Sequence, residues 1–145
     1  MIDVVLYTIS DFERWLKNVQ AQLDSKQSSR FFSSHVWLRA HVDEVITKKL
    51  IPAKKQLMEL KEHTNDSPLE VNLNASIKYC DVLLHLMGDI MQAHKDNYSP
   101  HDIQLKWQQA LPPLYQNVNH LRNRLTIAKN MQKHLDTEEE DWLRP

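Results

Sequence analysis

The sequence predicts an all-α protein, a single-domain antiparallel helical bundle of about four helices with proline kinks. The 145 residues contain one glycine, Gly88, and tight β-hairpins depend on glycine, so a many-stranded β fold is excluded. Apolar residues recur every three or four positions over most of the chain, which is the period of one helix face. Serine directly precedes proline at Ser67 and at Ser99, a pattern typical of helix starts.

Composition excludes several classes of protein. Apolar residues make up 41% of the chain and charged residues 26%, which is ordinary for a globular domain. One glycine cannot build a phosphate-binding loop. One cysteine, Cys80, excludes an internal disulfide and a multi-cysteine zinc site, and it fits a reducing compartment. No apolar run approaches the ~20 residues of a membrane helix, and residues 1–10 make a poor secretory signal. We therefore expect a cytoplasmic protein with no membrane role.

The first helix is predicted to begin at Ser10. Residues 2–9 are mostly β-branched and apolar, so we expect a strand or an extended arm there. Ser10 and Glu13 have the spacing of a capping box, and apolar residues at helical spacing follow them. The polar stretch 24–29 is expected to end this helix.

The second helix is predicted to run from near Ser28 to about His63, because an apolar stripe continues over that length. Pro52 lies inside the stripe. Proline has no amide proton and its ring clashes with the preceding turn, so we expect a kink or break near Leu50. Residues 64–66 are expected to form a loop.

The third helix is predicted to start at Ser67, with Pro68 in the first turn and Glu70 completing the cap. Its apolar positions alternate at four and three residues, which buries a narrow seam. Gly88 lies inside this helix, and the sequence interpretation is a close contact with another helix. The predicted seam consists of Leu73, Ile77, Cys80, Leu84, Met87 and Met91.

The fourth helix is predicted to start at Ser99 and to carry its stripe as far as Leu135. Pro112 and Pro113 are expected to interrupt it. The predicted domain is residues 1–135, and residues 136–145 form an acidic C-terminal tail that we expect to be mobile. The tail could fold back onto the basic helix before it. The predicted stripe consists of Trp107, Leu111, Leu114, Val118, Leu121, Leu125 and Ala128.

Charge patterning predicts a binding surface on the last helix. Residues 103–135 contain five basic residues and no acidic one, whereas exposed helices usually mix charges of both signs. Such a helix could contact phosphates or an acidic peptide, with aromatic residues beside the cations. A second lysine cluster surrounds Pro52. The alternative for both clusters is ordinary solvation of an outer face. The candidate binding residues are Lys54, Lys55, Lys106, Trp107, Tyr115, Arg122, Arg124, Lys129 and Lys133.

Catalytic and metal-binding patterns are weak. His85 and Asp89 share a helix face, but the chain contains no Glu-x-x-His motif of the kind that helical bundles use to bind metals. Arg30 and His35 have a spacing found in some helical nucleases, and this spacing is easily met by chance. Cys80 lies on an apolar stripe, which indicates a buried thiol rather than a nucleophile. We therefore expect no catalytic residues, no metal and no cofactor.

Two stretches resemble the primosomal replication protein PriC family, which acts in bacterial replication restart. The first is Ser29-Arg30-Phe31 followed by residues 50–60. The second is Leu114-Tyr115-Gln116 followed by residues 120–125. The resemblance implies a module that binds single-stranded DNA and the acidic C-terminal tail of single-strand-binding protein, and that helps to load the replicative helicase. Arg124 then matches the family's tail-binding arginine, while Leu121 and Asn123 stand where the family has an aromatic residue and an arginine.

The sequence therefore predicts a non-enzymatic helical adaptor that binds single-stranded DNA or an acidic protein tail through its basic helix. The alternative is a helical protein–protein interaction module, a chaperone or a regulator, with no role on nucleic acid. An enzyme ranks third. The pattern gives no oligomeric state.

Overall fold

The structure is a computed structural model that describes the backbone of residues 1–25 and 35–143 and the side chains of residues 1–25 and 38–137. These residues are helical apart from short connections, and they contain no strand, which confirms the all-α prediction. The helical elements are α1 (Ile2–Asp24), α2 (His35–Val45), a π-helical turn (Ile46–Leu50), α3 (Ile51–Glu62), α4 (Ser67–Lys95) and α5 (Pro100–Leu143). The predicted start near Ser28 and the Ser29-Arg30-Phe31 part of the family resemblance lie outside the described residues, whereas residues 50–60 are described.

The elements form an antiparallel bundle in which α2, the π-helical turn and α3 make one continuous helix. Cross-helix pairs give the directions: Asp3 with Lys129 and Glu13 with Arg122 run oppositely along α1 and α5. Helices α4 and α5 are also antiparallel, because Tyr79 stacks on His120 while the earlier residue Asn72 contacts the later residue Arg124. Helix α1 packs on α3 and α5, while α3 and α5 each pack on α4. Helices α1 and α4 are therefore diagonally opposite each other in the bundle.

The prediction of a strand or arm for residues 2–9 is wrong, because α1 already begins at Ile2. Ser10 is an interior helix residue and caps nothing. The buried residues of α1 alternate at spacings of three and four along its whole length, so helix packing overrides the β preference of the branched residues. The buried residues are Ile2, Val5, Ile9, Phe12, Leu16, Val19 and Leu23. The predicted end is confirmed, since α1 ends at Asp24.

The irregularity expected near Leu50 is a π-helical turn spanning Ile46–Leu50, directly before Pro52. Proline cannot donate to the carbonyl four residues earlier, and its ring would clash with that carbonyl. A wider turn removes this conflict while the helix continues. The end near His63 is confirmed, because α3 ends at Glu62.

Both later helix starts are capped nearly as predicted. The cap of α4 is Asp66 rather than Ser67, because the Asp66 carboxylate accepts a hydrogen bond of 2.9 Å from the Leu69 amide. Ser99 accepts from the Asp102 amide at 3.2 Å and caps α5.

The expectation that Pro112 and Pro113 interrupt the last helix is wrong, since α5 is helical through both. The two missing amides leave the carbonyls of Gln108 and Gln109 without their usual partners. Both glutamines are exposed, so water can satisfy those carbonyls. The predicted stripe of α5 is confirmed and is buried from Trp107 to Ala128.

Helix α5 also continues past Leu135 to Leu143. The backbone of residues 136–143 is therefore helical. An unbroken helix cannot fold back onto its own earlier turns, so the fold-back expected from the sequence requires α5 to break. The boundary of the predicted domain at residue 135 does not coincide with any change of secondary structure.

The interpretation of Gly88 as a close helix–helix contact is wrong. Gly88 is exposed, and a Cβ atom built on it would meet no atom within 4 Å. The preceding residue, Met87, is the one that lies on the buried face of α4, together with Leu83 one turn earlier. An exposed glycine inside a helix lowers stability through its backbone entropy.

Gly88→Ala is therefore expected to raise the free energy of unfolding by about 0.5–1 kcal/mol. Alanine adds helix propensity without a steric cost at an open position. Urea denaturation of both proteins measures the difference through the transition midpoints. A lower midpoint for Gly88→Ala would show that this position is packed in solution.

Candidate functional site

The basic residues of α5 lie on two different sides of the helix. Arg122 and Lys129 face α1, where they pair with Glu13 and Asp3. Arg124 faces α4, where its Nη1 donates to Asn72. The acid-free stretch 103–135 is thus complemented by carboxylates of a different helix, and its cations do not share one face.

The cations on the α1 side are largely neutralised within the chain. The Lys129 Nζ lies 2.7 Å from the Asp3 carboxylate, and the hydrogen bond from Lys129 lowers the Asp3 pKa. Burial alone would raise the pKa of Glu13, but bonds from Arg122 and then Lys17 outweigh it, so the pKa is lowered. These pairs favour the carboxylate forms and leave less charge for an external anion.

Glu13→Gln is accordingly expected to cost about 1 kcal/mol near pH 7 by removing the pairs with Arg122 and Lys17. Because the Glu13 pKa is lowered from its ordinary value of 4.5, its ion pairs stabilise the folded protein at any pH above that value. This stabilisation is lost as the pH falls through the pKa of Glu13 in the folded protein. The difference between wild type and Glu13→Gln should therefore shrink toward about pH 3. Urea midpoints at both pH values measure it, and a gap that is unchanged on acidification would contradict the pairing.

The lysine cluster around Pro52 is also partly neutralised. The Lys54 Nζ lies 2.5 Å from Asp81 of α4, and Lys49 pairs with Asp11 of α1. Lys55 is exposed and belongs to none of the ion pairs between described residues. Of the two predicted residues here, only Lys55 therefore keeps its charge uncompensated in the part of the chain that is described.

Neither predicted aromatic residue offers an open ring. Trp107 is fully buried and meets Trp15 edge-on at 5.6 Å between ring centroids, so the prediction of a binding role is wrong. Tyr115 is half-buried, and its pKa is raised first by burial and then by the charges of Glu13 and Asp24. These rings belong to the packing of α5 against α1.

Arg124 keeps its charge uncompensated. Its Nη1 lies 3.3 Å from the Asn72 Oδ1, which is a neutral acceptor. Arg124 appears in none of the ion pairs between described residues. A guanidinium has five N–H donors in a fixed fork, so four remain for another ligand. Arg124 is exposed, and its charge is therefore accessible from solvent.

Asn72 holds Arg124 because its own position is fixed. It is 6% exposed, and its Nδ2 donates at 3.0 Å to the carbonyl of Pro68 one turn earlier. The same nitrogen lies 3.5 Å from the Met131 Sδ of α5. These contacts orient the amide so that its oxygen points to Arg124. A buried amide usually requires such partners.

One turn before Arg124, His120 stacks on Tyr79 of α4, with ring centroids 5.3 Å apart and planes at 21°. His120 is exposed and Tyr79 half-buried, so one face of the imidazole is covered. Asn72 and Tyr79 are seven residues apart on α4, while His120 and Arg124 are four apart on α5. We call these four residues the Arg124 face.

Sequence reasoning missed Asn72 and Tyr79 as members of a site. Their seven-residue spacing is visible in the sequence. It indicates a site only when the antiparallel packing of α4 and α5 is known, because that packing places Asn72 beside Arg124 and Tyr79 beside His120. Lys106 and Lys133 lie elsewhere: Lys106 borders a small groove with Asp89, and Lys133 borders a groove at the opposite end of α5.

Other chemistry finds little support in the part of the chain that is described. No three His, Cys, Asp or Glu side chains there come together as a metal site would require. Cys80 is buried, and burial raises the pKa of its thiol to about 12, so the thiol stays protonated near neutral pH. No described helix is long and apolar enough to cross a lipid bilayer.

Comparison of the chain with protein-family models, with curated proteins and with solved structures gives no match.

Proposed function

We propose that this protein is a non-enzymatic helical adaptor that binds an acidic segment of a partner protein through the Arg124 face. The observation that carries the proposal is the Asn72–Arg124 contact. Asn72 orients the guanidinium without neutralising it, and four donors remain for a carboxylate pair. A partner carboxylate can be held by two parallel N–H bonds, which is the strongest common form of this interaction.

An acidic peptide fits this face better than single-stranded DNA does. Proteins that bind single strands combine a basic groove with open aromatic rings on which bases stack. Here Trp107 is buried, His120 covers part of Tyr79, and several cations pair inside the chain. The chain carries a net charge of −1, which weakens attraction to a polyanion.

The resemblance to the PriC family supports the same residue, because it aligns the family's tail-binding arginine with Arg124. A role in replication restart, in the cytoplasm and on the tail of single-strand-binding protein, is proposed on that resemblance alone.

A second candidate is a protein interaction module that uses an apolar surface. A groove of about 400 Å³ lies between α3 and α4 and contains the side chains of Met58 and Ile77. Met58 is 45% exposed. Charged and polar side chains, those of Lys61, Glu62 and Glu70 among them, also border this groove, so it suits an amphipathic partner helix rather than a purely apolar one.

Fluorescence anisotropy with two labelled probes tests the proposal. One probe is a ten-residue peptide of Asp, Glu and Leu, and the other is an oligothymidylate of about fifteen nucleotides. The peptide is expected to bind and to lose affinity as salt rises. Tighter binding of the oligothymidylate, with a steep salt dependence, would instead support single-stranded DNA as the ligand.

Arg124→Gln and Arg14→Gln form a matched pair for this experiment. Both remove one positive charge, and the Arg14 side chain is 65% exposed on α1, where it pairs with Asp11. Losing a charge-assisted pair of about 1.5–3 kcal/mol weakens peptide binding at least ~10-fold. Arg124→Gln should show this loss and Arg14→Gln should not. Equal effects would indicate long-range attraction only and would contradict a site at Arg124.

A further inference from the structure

The Arg124 face contains one residue whose charge changes near neutral pH, His120. It lies four residues before Arg124 on α5, so the two side chains share a side of the helix, with their Cβ atoms about 6 Å apart. Both side chains are exposed. An imidazole gains a proton between about pH 8 and about pH 5, whereas a guanidinium stays charged. The face therefore holds one permanent cation and, one turn before it, a group that becomes a second cation on acidification.

Tyr79 fixes the imidazole at the surface. The two rings are stacked, with centroids 5.3 Å apart and planes at 21°. A cation within about 6 Å of an aromatic centroid is attracted to the face of the ring, so the stack suits the protonated form of His120. Stacking covers a face of the imidazole and not its edge, where both nitrogens lie. One nitrogen of a neutral imidazole is an acceptor that repels a carboxylate, while both nitrogens of the protonated ring donate.

Neither α5 nor α1 brings a carboxylate to His120. His120 lies inside the stretch 103–135, which has no acidic residue and extends at least 15 residues to either side of it, a distance of about 22 Å along the helix. Helix α1 also packs on α5, but its residues Asp3 and Glu13 pair with the cations on the α1 side of that helix. His120 itself belongs to none of the ion pairs between described residues.

The carboxylates of α4 are also directed away from the stacked rings. Two of them lie on the side of α3, and the third borders the groove that contains Lys106; these residues are Glu70, Asp81 and Asp89. The charged residue of α4 next to Tyr79 is Lys78, which is exposed and belongs to none of the ion pairs between described residues. Arg124 and Lys78 both repel a further positive charge, and a carboxylate that binds there offsets this repulsion. Binding of an acidic ligand and protonation of His120 therefore favour each other.

We propose that His120 is a second, pH-dependent cation of the Arg124 face, and that its protonation tightens the binding of the acidic segment as the pH falls. The segment then places one carboxylate on the guanidinium of Arg124 and a neighbouring carboxylate on the imidazolium of His120. The protonated form binds better, so affinity rises on acidification and falls on alkalisation. This inference rests on the proposed function, because it concerns the same site and the same ligand.

Fluorescence anisotropy with the acidic ten-residue peptide at about pH 8 and about pH 5.5 tests the inference, because Asp and Glu stay ionised over this range. At constant ionic strength the wild type is expected to bind at least ~3-fold more tightly at the lower pH. His120→Gln keeps a polar side chain without a titratable group and should lose this gain. His85→Gln is the matched control, since His85 is an exposed histidine of α4 that pairs with Asp89, and it should keep the gain. An equal gain in His120→Gln and in the wild type would overturn the inference.

Proton uptake on binding provides a second measurement. Isothermal titration calorimetry near pH 6.5, in buffers of different ionisation enthalpy, gives the number of protons taken up with the peptide. The wild type is expected to take up a fraction of a proton and His120→Gln to take up less. Equal uptake by the two proteins would overturn the inference.

Arg124→Gln distinguishes a failure of this inference from a failure of the proposed function. At about pH 8, where imidazoles are largely neutral, Arg124→Gln should still bind the peptide more weakly than the wild type does. If it does so while His120→Gln keeps the pH dependence of the wild type, the role of His120 is overturned and the site at Arg124 stands. If the wild type binds the peptide at neither pH, or if Arg124→Gln binds like the wild type, the proposed function fails and the role of His120 fails with it.

Discussion

Trp107→Ala is expected to lower the free energy of unfolding by about 3–5 kcal/mol, the range for large aromatic residues removed from cores. Trp107 is fully buried at the interface of α1 and α5, where it contacts Trp15. Its removal leaves a cavity that the surrounding helices cannot fill completely. Such a loss is a large fraction of the stability of an ordinary domain. Urea denaturation followed by circular dichroism measures it.

Trp107→Phe separates packing from the indole N–H. The Trp107 Nε1 is buried and makes no hydrogen bond to the described residues, so phenylalanine removes an unsatisfied donor while keeping most of the ring. We expect this variant to lose less than about 2 kcal/mol. If Trp107→Ala instead retained full stability and lost peptide binding, Trp107 would be a surface binding residue and the burial described above would be wrong.

Charge reversal at Arg122 and at Arg124 is expected to produce two different defects, although the residues are two apart. Arg122→Glu places a carboxylate against Glu13 and should cost about 1–3 kcal/mol of stability, because Arg122 pairs with Glu13 at a half-buried position. Arg124→Glu faces the neutral Asn72 and should leave stability within about 1 kcal/mol. Its effect is on binding, where repulsion of an acidic peptide should weaken affinity at least ~100-fold.

Both readouts are needed on both variants. Thermal unfolding gives the stability difference, and anisotropy at a temperature where each variant is folded gives the affinity. The double reversal would mix the two defects and hide their origins. The account is contradicted if Arg124→Glu unfolds the protein, or if Arg122→Glu lowers affinity as much as Arg124→Glu does without any loss of stability.

The helices of this chain were predictable where the apolar period is unambiguous. The stripe of α5 from Trp107 to Ala128 and the cap at Ser99 follow from local rules that the structure obeys. Residues 2–9 were not predictable by local preference, because the apolar face of α1 satisfies both a β tendency and a helical period. Only burial against α3 and α5 decides between them.

The effect of the two prolines in α5 could also not be predicted from local sequence alone. Pro112 and Pro113 do remove two amide donors, but the carbonyls concerned belong to exposed glutamines, and exposure is a property of the tertiary structure. Gly88 is similar: its place in the helix was clear from the sequence, yet the side it faces depended on the register of α4.

The candidate site was only partly predictable because charge compensation acts between helices. The absence of acids from residues 103–135 indicated a binding face, but Asp3 and Glu13 lie more than a hundred residues away and neutralise Lys129 and Arg122. Arg124 remains because the residue opposite it is an asparagine. The sequence identified the basic residues, and the antiparallel register shows that Arg124, unlike Arg122 and Lys129, lies opposite a neutral residue.

Amide chemical-shift mapping tests the Arg124 face most directly. The ¹⁵N-labelled protein is titrated with the acidic ten-residue peptide at low salt. The account predicts the largest shifts at Asn72, Tyr79, His120 and Arg124, on the facing sides of α4 and α5. Shifts confined to α1 and to the α1-facing residues Arg122 and Lys129 would contradict it, as would a saturated titration that leaves the Arg124 face unchanged.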